Sequence, residues 1–264
     1  MVELVSQILK NFDYALLLFI RVSGLIMPSP IFGRRNLPSI IKISFCILLT
    51  CLFFVSFPLP EGGISARAPI EYFFMCFKEL LFGLTMGFLL TMFFNIAIMA
   101  GQLMDMQIGF GMASVFDIQF NSQIPVAGNI MNLILLVLFF SMNGHLKLIE
   151  MIHTTIVQIP IGRVYLSPEL ALAIIGSFCQ SFVLAIMLAM PLLASGIVLE
   201  MAMGVLLRAV PQMNMFVVGI PVKLLIGLIM LLIMIPAFTG FSEKIFSELF
   251  LAIGQAFSTF GAAA

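Results

Sequence analysis

Hydrophobic positions along this chain fall in long unbroken runs and do not alternate with charge. Uncharged stretches reach from Ile43 to Pro60, Leu80 to Met104, Ile118 to Leu146, Leu170 to Leu199 and Leu224 to Ser242. Several match the ~20 apolar residues that carry a helix across a hydrocarbon layer ~30 Å thick. Backbone N–H and C=O groups in such surroundings have no water to bond, so each run must satisfy its own as helix. The fold class that follows is all-α and polytopic, with hydrophobic helical hairpins.

The breaks between the runs are marked by turn chemistry. The first apolar segment, Tyr14 to Phe32, ends in Pro-Ser-Pro-Ile-Phe-Gly, where two prolines remove backbone donors and force the helix to stop. A second runs from Ile40 to Phe57. Between them Arg34, Arg35 and Lys42 make the densest basic cluster, which the lysine and arginine bias assigns to the cytoplasmic side. The longest segment, from about Tyr72 to Leu103, exceeds one bilayer crossing, so it tilts or projects into an assembly. On it Gly83 and Gly87 form a GxxxG face at which a second helix could approach; the alternative is a chance spacing in a glycine-containing helix.

After a central loop comes a segment from about Val126 to Met142, broken at Asn143-Gly144, and then the more amphipathic stretch His145 to Ile159. Ser167 and Pro168 read as the cap and first position of a new helix. Leu170 to Leu207 reads as a long hairpin or broken helix interrupted at Pro191, and Gly196 and Gly204 offer close packing. The last apolar segment, about Met215 to Phe238, contains Pro221 and Lys223 and is followed by a shorter amphipathic tail.

Composition sharpens this picture. Of the 264 residues 62% are hydrophobic and 9% charged, far from the roughly 25% charged residues of a water-soluble domain. Twelve basic and twelve acidic residues leave no net charge, and nothing resembles a nucleic-acid footprint. Cys46, Cys51, Cys76 and Cys179 lie inside apolar runs without metal-ligand spacing and read as apolar filler. The first apolar run ends at prolines with no small-residue cleavage site, so a removed signal peptide is not expected. Metalloprotease, serine-hydrolase and phosphate-loop motifs do not occur, and no enzymatic role is expected.

Arg21, Glu79, Asp105, Glu200 and Lys223 stand in or beside apolar segments, where a central charge costs about 2.5 to 3.5 kcal/mol. They should face protein or water. An ion relay is one reading and interhelical packing the favoured one, with Glu200 and Lys223 pairing with each other or with a partner subunit. Gly101 to Gly128 is glycine-hinged, amide-rich and studded with Phe and Met. Most of the twenty methionines are ordinary core; Met112, with Met104 and Met106 at the loop entrance, are placed to form a deformable seal.

Taken together, PSPIFG with RRNLPSIIKI, then KELLFGLTMGFLL, GQLMDMQIGFGMASVFD, SMNGHLKLI and RAVPQMNMFVVGIPVKLLIGL resemble, in order and over nearly the whole chain, the signature regions of the FliR family. This family belongs to the export gates of type III secretion systems, and the PQMNMFVVGIPVK block looks more like its flagellar branch. One departure is Ile118, where many members carry proline after the aspartate. The resemblance implies a single FliR-type domain, with N-terminal hairpins over about residues 1–125 ending in a plug loop and broken hairpins over about 126–264.

It further implies one such subunit joined to several FliP and FliQ subunits in a cone-shaped helical assembly of the flagellar basal body at the bacterial inner membrane. FlhB wraps the entrance and FlhA lies beneath. In that assembly the apolar helices bury largely against neighbours, with membrane lipid at the margin, and unfolded flagellar proteins pass through the centre. No cofactor is implied, and the energy comes from other components. The family places its plug at the loop matching Gln107 to Ile124. Gly109 and Gly111 would free the backbone there, and Phe110, Met112, Val115, Phe116 and Phe120 would occlude a narrow passage. A surface loop packed on its own bundle is the plain alternative. The rival from another class is a secondary transporter of a small solute, with helices broken around Pro191 and Pro221.

Overall fold

The computed structural model describes residues 11–33, 37–57, 68–110, 125–210 and 215–260. They form α1 (Phe12–Ile26), α2 (Ser39–Ser56), α3 (Pro69–Ile108), α4 (Val126–Ser141), α5 (Gly144–Gln158), α6 (Glu169–Ala209) and α7 (Met215–Phe260). The protein is all-α and polytopic. Four helices, α2, α3, α6 and α7, are long and apolar enough to cross a membrane, and α4 with α5, bent by 66° at their junction, would make a fifth.

Most breaks fall where local chemistry requires them. Helix α1 stops at Ile26, ahead of Pro28 and Pro30. The carbonyl of Pro28 is then taken up by the Thr91 hydroxyl at 2.6 Å, so the chain just past the helix is tied to α3. Asn143 separates α4 from α5 in the left-handed region at φ 57°, a conformation asparagine tolerates better than most residues. At the α6 start the Leu170 N–H donates to the Ser167 carbonyl.

Two expectations are corrected. Helix α6 runs unbroken for 41 residues with Pro191 inside it, so the segment from Leu170 to Leu207 is neither a hairpin nor a broken helix. Helix α7 continues for 46 residues through Pro221 and Pro236 to Phe260, and the amphipathic tail is its last turns. A proline removes one hydrogen bond and bends a helix, but the many remaining bonds hold it where no water competes for the backbone.

The described residues divide into two compact units. One takes in those up to Met92, Asn143–Ser177 and those from Glu248 on; the other takes in Phe93–Met142 and Phe178–Ser247. Helices α3, α6 and α7 each contribute to both. The first unit has a core of Leu17, Leu18, Val22 and Ile26 from α1, Cys46, Leu49, Phe53 and Phe54 from α2, and Ile152 and Ile156 from α5. Leu18, Val22 and Ile26 recur at four-residue steps, and Tyr14 and Leu17 stand three apart beside them, which puts the α1 members on one helical face. In the second unit Phe139 packs edge to face on Phe94 and Phe246, with ring centroids 5.3 Å and 5.4 Å apart, and Phe94 and Phe246 meet at a tilt at 6.2 Å.

Candidate functional site

Helix α3 ends in a glycine cap. The Gly109 N–H donates to the Asp105 carbonyl at 3.0 Å, and Gly109 sits at φ 95° with nothing among the described residues within 4 Å of where a Cβ would be. The left-handed backbone, not crowding, calls for glycine here. Past it lie Gly111, Met112, Val115, Phe116 and Phe120, outside the described residues. The chain re-enters at Pro125, and α4 begins.

The two roots of this segment are fastened together. Both carboxylate oxygens of Asp105, a buried side chain, accept the Ala127 N–H, at 3.1 Å and 3.2 Å. An acidic side chain here supplies an acceptor to an otherwise orphaned first-turn donor and favours the positive end of the α4 dipole. One turn earlier, Gly101 meets Gly128 backbone to backbone so closely that a Cβ on Gly101 would overlap the Gly128 main chain.

The last turn of α3 is seated in glycines of two further helices. A Cβ on Gly196 of α6 would run into the Gln107 side chain, and one on Gly227 of α7 would come within 2.7 Å of Ile108 Cγ1. Beside this seat Lys223 Nζ donates to Glu200 Oε1 at 2.6 Å, and Gln107 Nε2 donates to the same oxygen at 3.3 Å. The structure thus brings Glu200 and Lys223 together. Within this chain they are partly exposed, with side-chain exposures of 51% and 29%.

Arg21 and Glu79 belong to the first unit and are fully enclosed. Arg21 Nε donates to Glu79 Oε2 at 2.6 Å and Nη2 to Oε1 at 3.0 Å. Its Nη1 donates to the Ile159 and Thr155 carbonyls at 2.9 Å and 3.3 Å, and the guanidinium lies over the Phe82 ring. Glu79 Oε1 also accepts the Gly162 N–H at 2.8 Å, at a glycine with φ 86°. One ion pair therefore ties α1, α3 and the chain leaving α5. The GxxxG face lies alongside: a Cβ on Gly24 would lie 3.1 Å from the Gly83 Cα, and one on Gly87 would lie 2.8 Å from the Leu25 carbonyl oxygen. Gly83 and Gly87 thus receive α1 and the chain just after it.

Sequence reasoning did not find Gly24, Gly128 and Gly227, whose only sign is a small residue in an apolar helix. Among the described residues nothing lies within 4 Å of a would-be Cβ on Gly204. Among the described residues no group of three or more His, Cys, Asp or Glu is placed to hold a metal ion.

Large apolar side chains remain uncovered along α6 and α7, among them Leu172, Phe178, Met201, Val205, Leu232 and Ile233. Of the most apolar stretch of α3, 61% is buried within the chain, against 11% for α7. The most apolar stretch of α7 is thus largely uncovered by the rest of the chain, whereas the last part of α7 carries buried residues such as Phe246, Leu249 and Phe260.

A family model described as bacterial export proteins, family 1, matches residues 12–249. The flagellar biosynthetic protein FliR of Bacillus subtilis is 31% identical over 245 residues, covering 92% of this chain and 93% of that protein. FliR of Escherichia coli K12 is 31% identical over 234 residues, covering 88% and 87%. FliR of Aquifex aeolicus is 29% identical over 240 residues, covering 89% and 90%. The family match reaches into every described helix, and the chain belongs to the FliR family of bacterial export proteins.

Proposed function

We propose that this chain is a non-enzymatic subunit of the flagellar type III export gate, set in the bacterial inner membrane, where it lines and plugs the channel that passes unfolded flagellar proteins out of the cytoplasm. The observation that carries this reading is the fastening of Asp105 to Ala127 at the two roots of the Phe- and Met-rich segment. A stopper must stay anchored while its tip yields. Here the roots are held by the Asp105 carboxylate on the Ala127 N–H and by Gly101 against Gly128, and the Phe, Met and Val side chains of the segment between them offer a passing peptide no hydrogen bond.

The partners in this reading are FliP and FliQ as co-subunits, FlhB around the entrance and FlhA below. The uncovered apolar faces of α6 and α7 support it, since contiguous surface of this kind needs another protein or lipid against it. No nucleotide motif occurs in the sequence, so the chain provides passage and other components provide energy. Deleting Phe110 to Phe116 tests the plug. The deletion complex, assembled with FliP and FliQ and placed in vesicles, should pass small ions that the parent complex holds back; an ion-tight deletion complex would refute the plug.

A further inference from the structure

We propose that the cavity beside the Arg21–Glu79 pair is a binding site for one water molecule, which accepts the remaining N–H of the Arg21 guanidinium and donates to the Thr155 hydroxyl. The site lies wholly within the first unit and is independent of the export-gate reading.

Counting donors leads to it. A guanidinium carries five N–H groups and no acceptor. Arg21 uses four of them: Nε and one N–H of Nη2 go to the two Glu79 oxygens, and the N–H groups of Nη1 go to the Thr155 and Ile159 carbonyls. The second N–H of Nη2 meets no acceptor among the described residues, and at 2% exposure bulk water supplies none. The Phe82 ring beneath the guanidinium attracts its charge but offers no lone pair. Buried donors left in this state are costly, and native structures nearly always match them with protein or ordered water.

The cavity supplies both the room and a second partner. Arg21 and Leu25 of α1, Phe82 and Met86 of α3, and Leu148 and Thr155 of α5 line it. Its volume is about 20 Å³, against the roughly 10–15 Å³ that admits one water. Thr155 is buried too, and its hydroxyl donates to the Ile152 carbonyl at 2.6 Å, so the oxygen keeps lone pairs for another donor. Water placed here bridges α1 to α5 and completes the hydrogen bonding of the enclosed pair. Other occupants fit worse. An apolar guest would leave the guanidinium donor unmatched, and an anion would add a second negative charge where Glu79 already balances Arg21.

Cryo-electron microscopy of the membrane complex that holds this chain, at a resolution that shows ordered water, tests the site without any substitution. A density peak within hydrogen-bond distance of both Arg21 Nη2 and Thr155 Oγ1 is the expected result. The peak should be lost in Thr155→Val, which keeps the side-chain shape without the acceptor, and retained in Thr155→Ser. A map that shows buried water elsewhere in this subunit and none here would overturn the proposal. So would a peak that reaches Arg21 alone, or one that stays undiminished in Thr155→Val.

Discussion

The Asp105 carboxylate accepts the Ala127 N–H with both oxygens across 22 positions of sequence. The tie joins the last turn of α3 to the first turn of α4. Asp105→Ala would leave the Ala127 donor buried and unsatisfied, at a cost of about 1–3 kcal/mol. Asp105→Asn keeps one oxygen acceptor and should cost less. Thermal unfolding of the purified complex should rank the parent above Asp105→Asn and Asp105→Ala lowest; equal midpoints for all three would count against the tie.

The Arg21–Glu79 pair makes a sharper prediction because both side chains are enclosed, at 2% and 0% exposure. Removing one partner strands a buried charge, an effect of about 3–5 kcal/mol, whereas replacing both with apolar or neutral groups can be close to neutral. Arg21→Met and Glu79→Gln should each lower the amount of complex recovered from membranes. The double variant should recover better than the sum of the singles predicts. Additive losses would mean that the two charges act independently.

Glycine positions divide into two kinds. At Gly101 a Cβ would overlap the Gly128 backbone, whereas at Gly254 nothing among the described residues lies within 4 Å. Gly101→Ala should therefore reduce assembly and export, and Gly254→Ala should leave the fold of this subunit intact. Motility and complex yield measured for the two variants side by side would check this, and a tolerated Gly101→Ala would contradict the close approach of α3 and α4.

Much of this fold is legible in the sequence because helices in apolar surroundings announce themselves by uninterrupted hydrophobic runs and stop at recognisable turn residues such as Pro28, Asn143 and Gly109. The continuity of α6 through Pro191 was not legible. Whether a proline ends or merely bends a helix depends on what packs around the freed carbonyl, and sequence spacing does not carry that. The same limit hides the Asp105 cap and the Gln107–Glu200 contact, which join residues 22 and 93 positions apart. A lone aspartate before a loop reads as a buried charge until the helix it caps is seen beside it. Gly24 and Gly227 escape for a related reason: a glycine in an apolar helix shows its purpose only through the backbone or side chain that fills its place.

The uncovered apolar surface of α6 and α7 predicts dependence on partners. Produced alone, the chain should be degraded or polydisperse in detergent. Produced with FliP and FliQ it should elute as one defined complex. A well-behaved monomer that gains nothing from co-expression would favour the solute-transporter alternative.

The most direct test of the plug is where a passing chain touches this subunit. Photo-crosslinking side chains placed at Phe110, Met112 and Phe116, with others at the outward-facing Phe178 and Leu232, would be irradiated in cells holding a stalled flagellar export substrate. The account predicts adducts to the substrate from the loop positions and none from Phe178 or Leu232. Substrate adducts absent from the loop, or formed as readily at the two helix positions, would contradict it.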